Sequence, residues 1–123
     1  MATYKGIKGF KVQNLSSDAI ESQIAGGTWA SGGNLNQAKV GMGGAGVAQT
    51  AGLVFGGNLP SPGAGIATTE SYDGSSWSEV GDLGTGTRRL AGVGTQSLAA
   101  AFGGVDAPGS TINTVNEWNG TSW

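Results

Sequence analysis

The chain has 123 residues, 25 of them glycine, only 11% charged residues, no cysteine, no histidine and a formal net charge of −2. Without cysteine or histidine, disulfides, thiolate metal sites and nucleophile–base pairs built on either residue are excluded. Each glycine costs about 1 kcal/mol relative to alanine inside a helix, so this composition disfavours long helices and fits short strands joined by turns.

Residues 1–28 stand apart. Lys5, Lys8 and Lys11 alternate in places with apolar residues, and Tyr4, Ile7, Phe10 and Val12 are the large apolar side chains available. A stretch this short cannot make its own core, and apolar residues in a tail require a surface to bury against. An N-terminal arm or anchor over 1–28 is therefore expected. It lacks the apolar core of a secretory signal. No run of the chain reaches the roughly 18 apolar residues of a membrane-spanning helix. Lysine and arginine are too few and too scattered for a nucleic-acid footprint.

From Trp29 onward the chain repeats itself. Phe55-Gly56-Gly57 is followed by Tyr72-Asp73-Gly74-Ser75-Ser76-Trp77, and Phe102-Gly103-Gly104 by Trp118-Asn119-Gly120-Thr121-Ser122-Trp123. The spacing is 47 residues for the phenylalanine (102 − 55) and 46 for the final tryptophan (123 − 77), and Trp29 lies 48 residues before Trp77. A fixed period in this range marks a repeat architecture. The predicted strands run over 29–33, 39–46, 49–55 and 66–72, with Trp77 opening a further one. Proline at positions 60 and 62 makes 58–65 a loop, and Asp73-Gly74 supplies a hairpin turn. The second unit repeats this with 90–94, 96–102 and 111–118, a loop holding Pro108, and the Asn119-Gly120 turn. Four short strands per unit describe a propeller blade. The domains are thus 1–28 and 29–123, the latter divided near 76/77.

The chemical motifs are weak. Gly41-Met42-Gly43-Gly44-Ala45-Gly46 matches a dinucleotide-binding string, but a strand pattern rather than a helix follows it, so it reads as tight strand packing and no cofactor is expected. Glu70, Asp73, Asp82, Asp106 and Glu117 show no spacing that pairs them for acid–base work, and no enzyme is expected. No metal-loop spacing occurs either. Tryptophans held at the repeat period read as core. The loops around Asn58, Leu59 and Ser61, and around Asp106 and Ser110, differ between units and are the candidate binding surface.

A strand ending in Phe-Gly-Gly, a variable loop and then Tyr-Asp-Gly-Ser-Ser-Trp resembles the kelch-type β-propeller repeat. The resemblance implies an all-β fold of two four-stranded blades. It gives strand-ending roles to Gly56, Gly57, Gly103 and Gly104 and packing roles to Tyr72, Trp77, Trp118 and Trp123; the period adds Trp29, Phe55 and Phe102 to the repeat core. In that family the glycine pair ends the second strand. The opening 1–12 also resembles leaders of structural proteins from tailed phages, especially marine and cyanobacterial ones, several of which carry kelch-like repeats. Together these imply a non-enzymatic virion protein, part of a tail fibre or head-surface appendage. Its arm would bind other virion proteins, and a host-surface glycan is a further partner. The alternative is a kelch-like interaction module from a longer chain. Propellers close with about four to eight blades, so two repeats imply assembly of copies, with three chains giving six blades favoured.

Overall fold

A computed structural model describes residues 29–61 and 63–123; the expected anchor residues Tyr4, Ile7, Phe10 and Val12 lie outside them. Alternating and β-branched segments form eight strands: β1 (Gly43–Ala48), β2 (Ala51–Phe55), β3 (Thr69–Tyr72), β4 (Trp77–Val80), β5 (Thr87–Arg88), β6 (Ala91–Gly94), β7 (Ala99–Asp106) and β8 (Thr111–Trp118). The described residues are all-β and make two four-stranded antiparallel sheets. The first runs β1-β2-β3-β4. In the second, β7 is central, with β8 on one edge and β6 and then β5 along the other. Gly32–Trp123 forms one compact unit.

Three strands of each sheet, β1–β3 and β6–β8, repeat each other pair for pair, while β4 and β5 have no counterpart. Gly52↔Tyr72, Leu53↔Ser71, Val54↔Glu70 and Phe55↔Thr69 in the first become Ala99↔Trp118, Ala100↔Glu117, Ala101↔Asn116 and Phe102↔Val115 in the second. The β1–β2 pairs Gly43↔Phe55 to Gly46↔Gly52 likewise become Ala91↔Phe102 to Gly94↔Ala99. The turns repeat as well. Asp73 Oδ1 accepts the Ser75 and Ser76 amides at 2.8 Å each, and Asn119 Oδ1 accepts those of Thr121 and Ser122 at 3.0 and 2.9 Å. Each side chain caps its own turn, which is why Asp and Asn hold that position.

Both Phe-Gly-Gly pairs turn left-handed, with φ of 63° and 97° at Gly56 and Gly57 and 55° and 106° at Gly103 and Gly104. Side chains are disfavoured there. The consequences differ, however. β2 ends at Phe55, whereas β7 passes through Gly103 as a bulge and continues to Asp106, because β5 and the start of β8 pair its far half. The glycine pair thus does not end the second repeat's strand.

One apolar cluster joins the sheets: Leu53 and Phe55 from the first, Ala99, Ala101 and Trp118 from the second, Leu83 from the connection between them and Leu90 from the link between β5 and β6. Trp123 packs edge-on against Phe55 at 4.7 Å and beside Trp118 at 5.4 Å, and its Nε1 donates to Thr69 Oγ1 at 2.9 Å. The backbones meet closely at Gly92, where a Cβ would lie 2.5 Å from the Phe55 ring and 2.6 Å from the Gly44 carbonyl.

Several expectations change. Residues 29–33 form no strand, and Trp29 is fully exposed instead of packed as core. Trp123 lies outside any strand, since its ring fills the space over Phe55. Trp77 does open β4, which pairs with β3, so the first sheet extends past the 76/77 division to Val80. Phe102 is exposed although it repeats Phe55.

Candidate functional site

Four of the five carboxylates that a catalytic reading would need, Glu70, Asp73, Asp82 and Asp106, are used to hold the fold, and Glu117 is exposed. Glu70, on β3, is buried; its Oε2 accepts the Asn36 amide at 2.7 Å, and its Oε1 meets Lys39 Nζ at 2.8 Å. Lys39 is buried too and also donates to Thr68 Oγ1 at 3.1 Å. Burial works to raise the Glu70 pKa, but the Lys39 hydrogen bond, the Asn36 amide and the Lys39 charge outweigh it and hold the carboxyl below its ordinary value. Asp82 Oδ1 accepts the Thr69 amide at 3.2 Å. Asp106 Oδ1 accepts the amides of Gly109 and Ser110 at 3.0 and 2.7 Å. The Asp73 carboxyl is held below its usual value by the amides of Ser76 and Ser75.

The two predicted binding loops approach each other, since a Cβ on Gly65 would lie 3.4 Å from the Ala107 Cα and β5, which pairs the end of β7, lies between them. Asn58 is tied by bridges to Val40 and Gly65, and its Nδ2 donates to the Leu59 carbonyl at 3.1 Å. Asn58 and Leu59 are half-buried, and Ser61 is exposed. Asp106 is half-buried at the end of β7, with Ser110 exposed in the turn beyond it. Arg88 crosses to the first loop and donates to the Gly63 carbonyl at 2.7 Å.

A more distinctive surface lies on the second sheet. Facing away from the first sheet, it presents Val93, Phe102 and Val115, with exposures of 57%, 39% and 57%. Leu98, at the β6–β7 turn, is exposed as well. Alternation along β6, β7 and β8 puts one set of side chains against the first sheet and the other on this face. Beside it opens a cavity of about 330 Å³, whose walls include Leu98, Ala99, Glu117 and Trp118. A contiguous apolar face of this kind marks an interaction surface more often than a lone exposed residue does.

The interface that the chain makes between its own sheets shows how such a face is covered. Gln96, in the β6–β7 turn, lays its amide across the first sheet. Its Nε2 reaches Ser71 Oγ at 2.8 Å, the Tyr72 carbonyl at 2.5 Å and the Gly52 carbonyl at 3.4 Å. Its own carbonyl accepts Trp118 Nε1 at 2.9 Å. Sequence reading placed Gln96 in a strand and gave it no role. The signal was available, since Gln49 stands 47 residues earlier in the same phase. Lys39 was likewise read only as part of a strand.

No helix among the described residues is long and apolar enough to cross a membrane. No protein-family model matches the chain, and no curated protein is significantly similar to it.

Proposed function

We propose that the protein is a non-enzymatic structural component of a tailed-phage virion, built from kelch-like blades that assemble through copies of the chain. The observation that best supports this reading is the repetition of β1–β3 by β6–β8, residue pair for residue pair, with an apolar face of the second sheet left exposed. A surface of this chemistry serves assembly. The carboxylates favour the same reading, because Glu70, Asp73, Asp82 and Asp106 each have a structural partner. Residues 1–28 supply the attachment arm to other virion proteins, and the blades form the tail-fibre or head-surface part.

The test is quantitative mass spectrometry of purified, nuclease-treated particles from the natural source. A structural protein appears there in fixed proportion to the other particle proteins. Absence from the particles overturns the virion reading. The exposed face also fits a kelch-like interaction module continued by further repeats in a longer chain, and the intact mass of the natural protein decides between the two.

A further inference from the structure

We infer that the exposed face of the second sheet is a docking site for the first sheet of another copy of this chain, joined head to tail. The assignment specifies the self-assembly proposed above and rests on it. It follows from matching each residue with its repeat equivalent.

Phe55 and Phe102 occupy the same register position, as do Thr69 and Val115, and Ala45 and Val93. Phe55 and Thr69 are wholly buried, because the second sheet, its connection and Trp123 lie over them. Phe102, Val93 and Val115 carry the same face one repeat later, and nothing among the described residues covers them. The exposed face thus continues an interface that the chain already makes with itself.

The residues that would do the covering are also present one repeat earlier, two of them exposed. Leu90 packs over Gly43 and Gly56 against Phe55; its equivalent is Met42, which is exposed. Gln96 has Gln49 as its equivalent, also exposed. Trp123 has Trp77, which is half-buried beside Tyr72 at 4.8 Å. One side of the chain therefore carries a second set of covering groups, and the other side a second face to cover.

The cavity identifies the seat. Gln96 is held by Gly52, Ser71 and Tyr72. Their repeat equivalents are Ala99, Glu117 and Trp118, and all three line the 330 Å³ cavity on the exposed face. The Gln49 amide of the next copy enters there, donating to the Glu117 carboxylate and the Trp118 carbonyl. Where the first sheet has a serine hydroxyl, the second has a carboxylate, and a hydrogen bond to a charged acceptor is the stronger of the two. The contact is heterologous, so copies either close a ring or extend a filament.

Sedimentation of the full chain and two variants tests this. Phe102→Asp removes one side of the contact and Met42→Asp the other. The wild type assembles at about 0.1 mM, an ordinary range for a specific contact of this kind. Each variant alone is a monomer, and an equimolar mixture gives a one-to-one dimer, since each partner keeps the side that the other lost. A wild type that stays monomeric overturns the inference. So does a Met42→Asp variant that associates as the wild type does. If an aspartate variant fails to fold, the exposed pair decides. Gln49→Glu sets like charges together and weakens association by roughly tenfold or more, and adding Glu117→Lys restores it. An unchanged Gln49→Glu overturns the inference. A monomer found stoichiometrically in particles sinks the docking alone, and an assembling chain missing from particles sinks the virion reading alone.

Discussion

Replacing Lys39 with methionine should be among the most damaging single changes in the chain. The Lys39 and Glu70 side chains are 0% and 2% exposed, with 2.8 Å between Nζ and Oε1. Methionine keeps most of the side-chain volume but leaves the Glu70 carboxylate buried, with the amides of Asn36 and Gln37 as its remaining donors. Removing one partner of a buried pair costs about 3–5 kcal/mol, a large part of the roughly 5–15 kcal/mol that stabilises a domain. The urea midpoint, followed by tryptophan fluorescence at pH 7, should fall by about 2 M or more for a slope near 1–2 kcal/mol/M.

The pH dependence gives a second readout of the same pair. In the wild type the folded Glu70 pKa lies below its ordinary value of 4.5. Its contribution is therefore complete above 4.5 and is lost as pH falls through the lower folded value. In Lys39→Met burial, the largest influence, is opposed only by the Asn36 and Gln37 amides, so the pKa should rise and the penalty is full at neutral pH and fades as Glu70 protonates on the way down to 4.5. The stability gap between the two proteins should narrow on acidification. The double variant Lys39→Met/Glu70→Leu should recover to within about 2 kcal/mol of wild type, because no buried charge remains. A Lys39→Met protein that loses under about 1 kcal/mol, or a gap that does not change with pH, would refute this reasoning.

Gly92→Ala should destabilise by about 1–3 kcal/mol in the same assay, since its Cβ meets the Phe55 ring and the Gly44 backbone. Gly84→Ala, with nothing within 4 Å, should change stability by less than about 0.5 kcal/mol. Trp123→Phe should cost about 1–2 kcal/mol by leaving the buried Thr69 hydroxyl without its donor, and Trp123→Ala about 3 kcal/mol or more by also opening the space beside Phe55. Asp73 should titrate below its ordinary value of 3.8 by NMR, and Ser76→Pro, which removes the Ser76 amide that does most to hold it there, should bring the titration back up.

Local signals in the sequence carried most of the strand pattern. Asp73-Gly74 and Asn119-Gly120 marked their turns because those side chains bond within three residues, and Pro60 interrupted the ladder where the loop lies. Trp77 marked β4 through the period alone. What periodicity could not show was which repeated residues are covered. Phe55 and Phe102 are equivalent in sequence, yet only one has a sheet over it. Burial at a repeat's end depends on the neighbour and not on the residue itself. The Lys39–Glu70 pair was hidden for a related reason. Its members lie 31 positions apart (70 − 39) and meet only because the segment before β1 folds across the first sheet. The Gln96 seat is similarly long-range, and neither Gln49 nor Gln96 carries a local signature.

Cross-linking tests the head-to-tail assembly most directly, because the chain has no cysteine of its own. Gln49→Cys and Glu117→Cys chains would be mixed and treated with a short bis-maleimide. A covalent dimer containing one chain of each kind is expected, with little product from either chain alone. Products formed equally well by Gln49→Cys or Glu117→Cys chains alone, or no dimer at concentrations where the wild type associates, would contradict it.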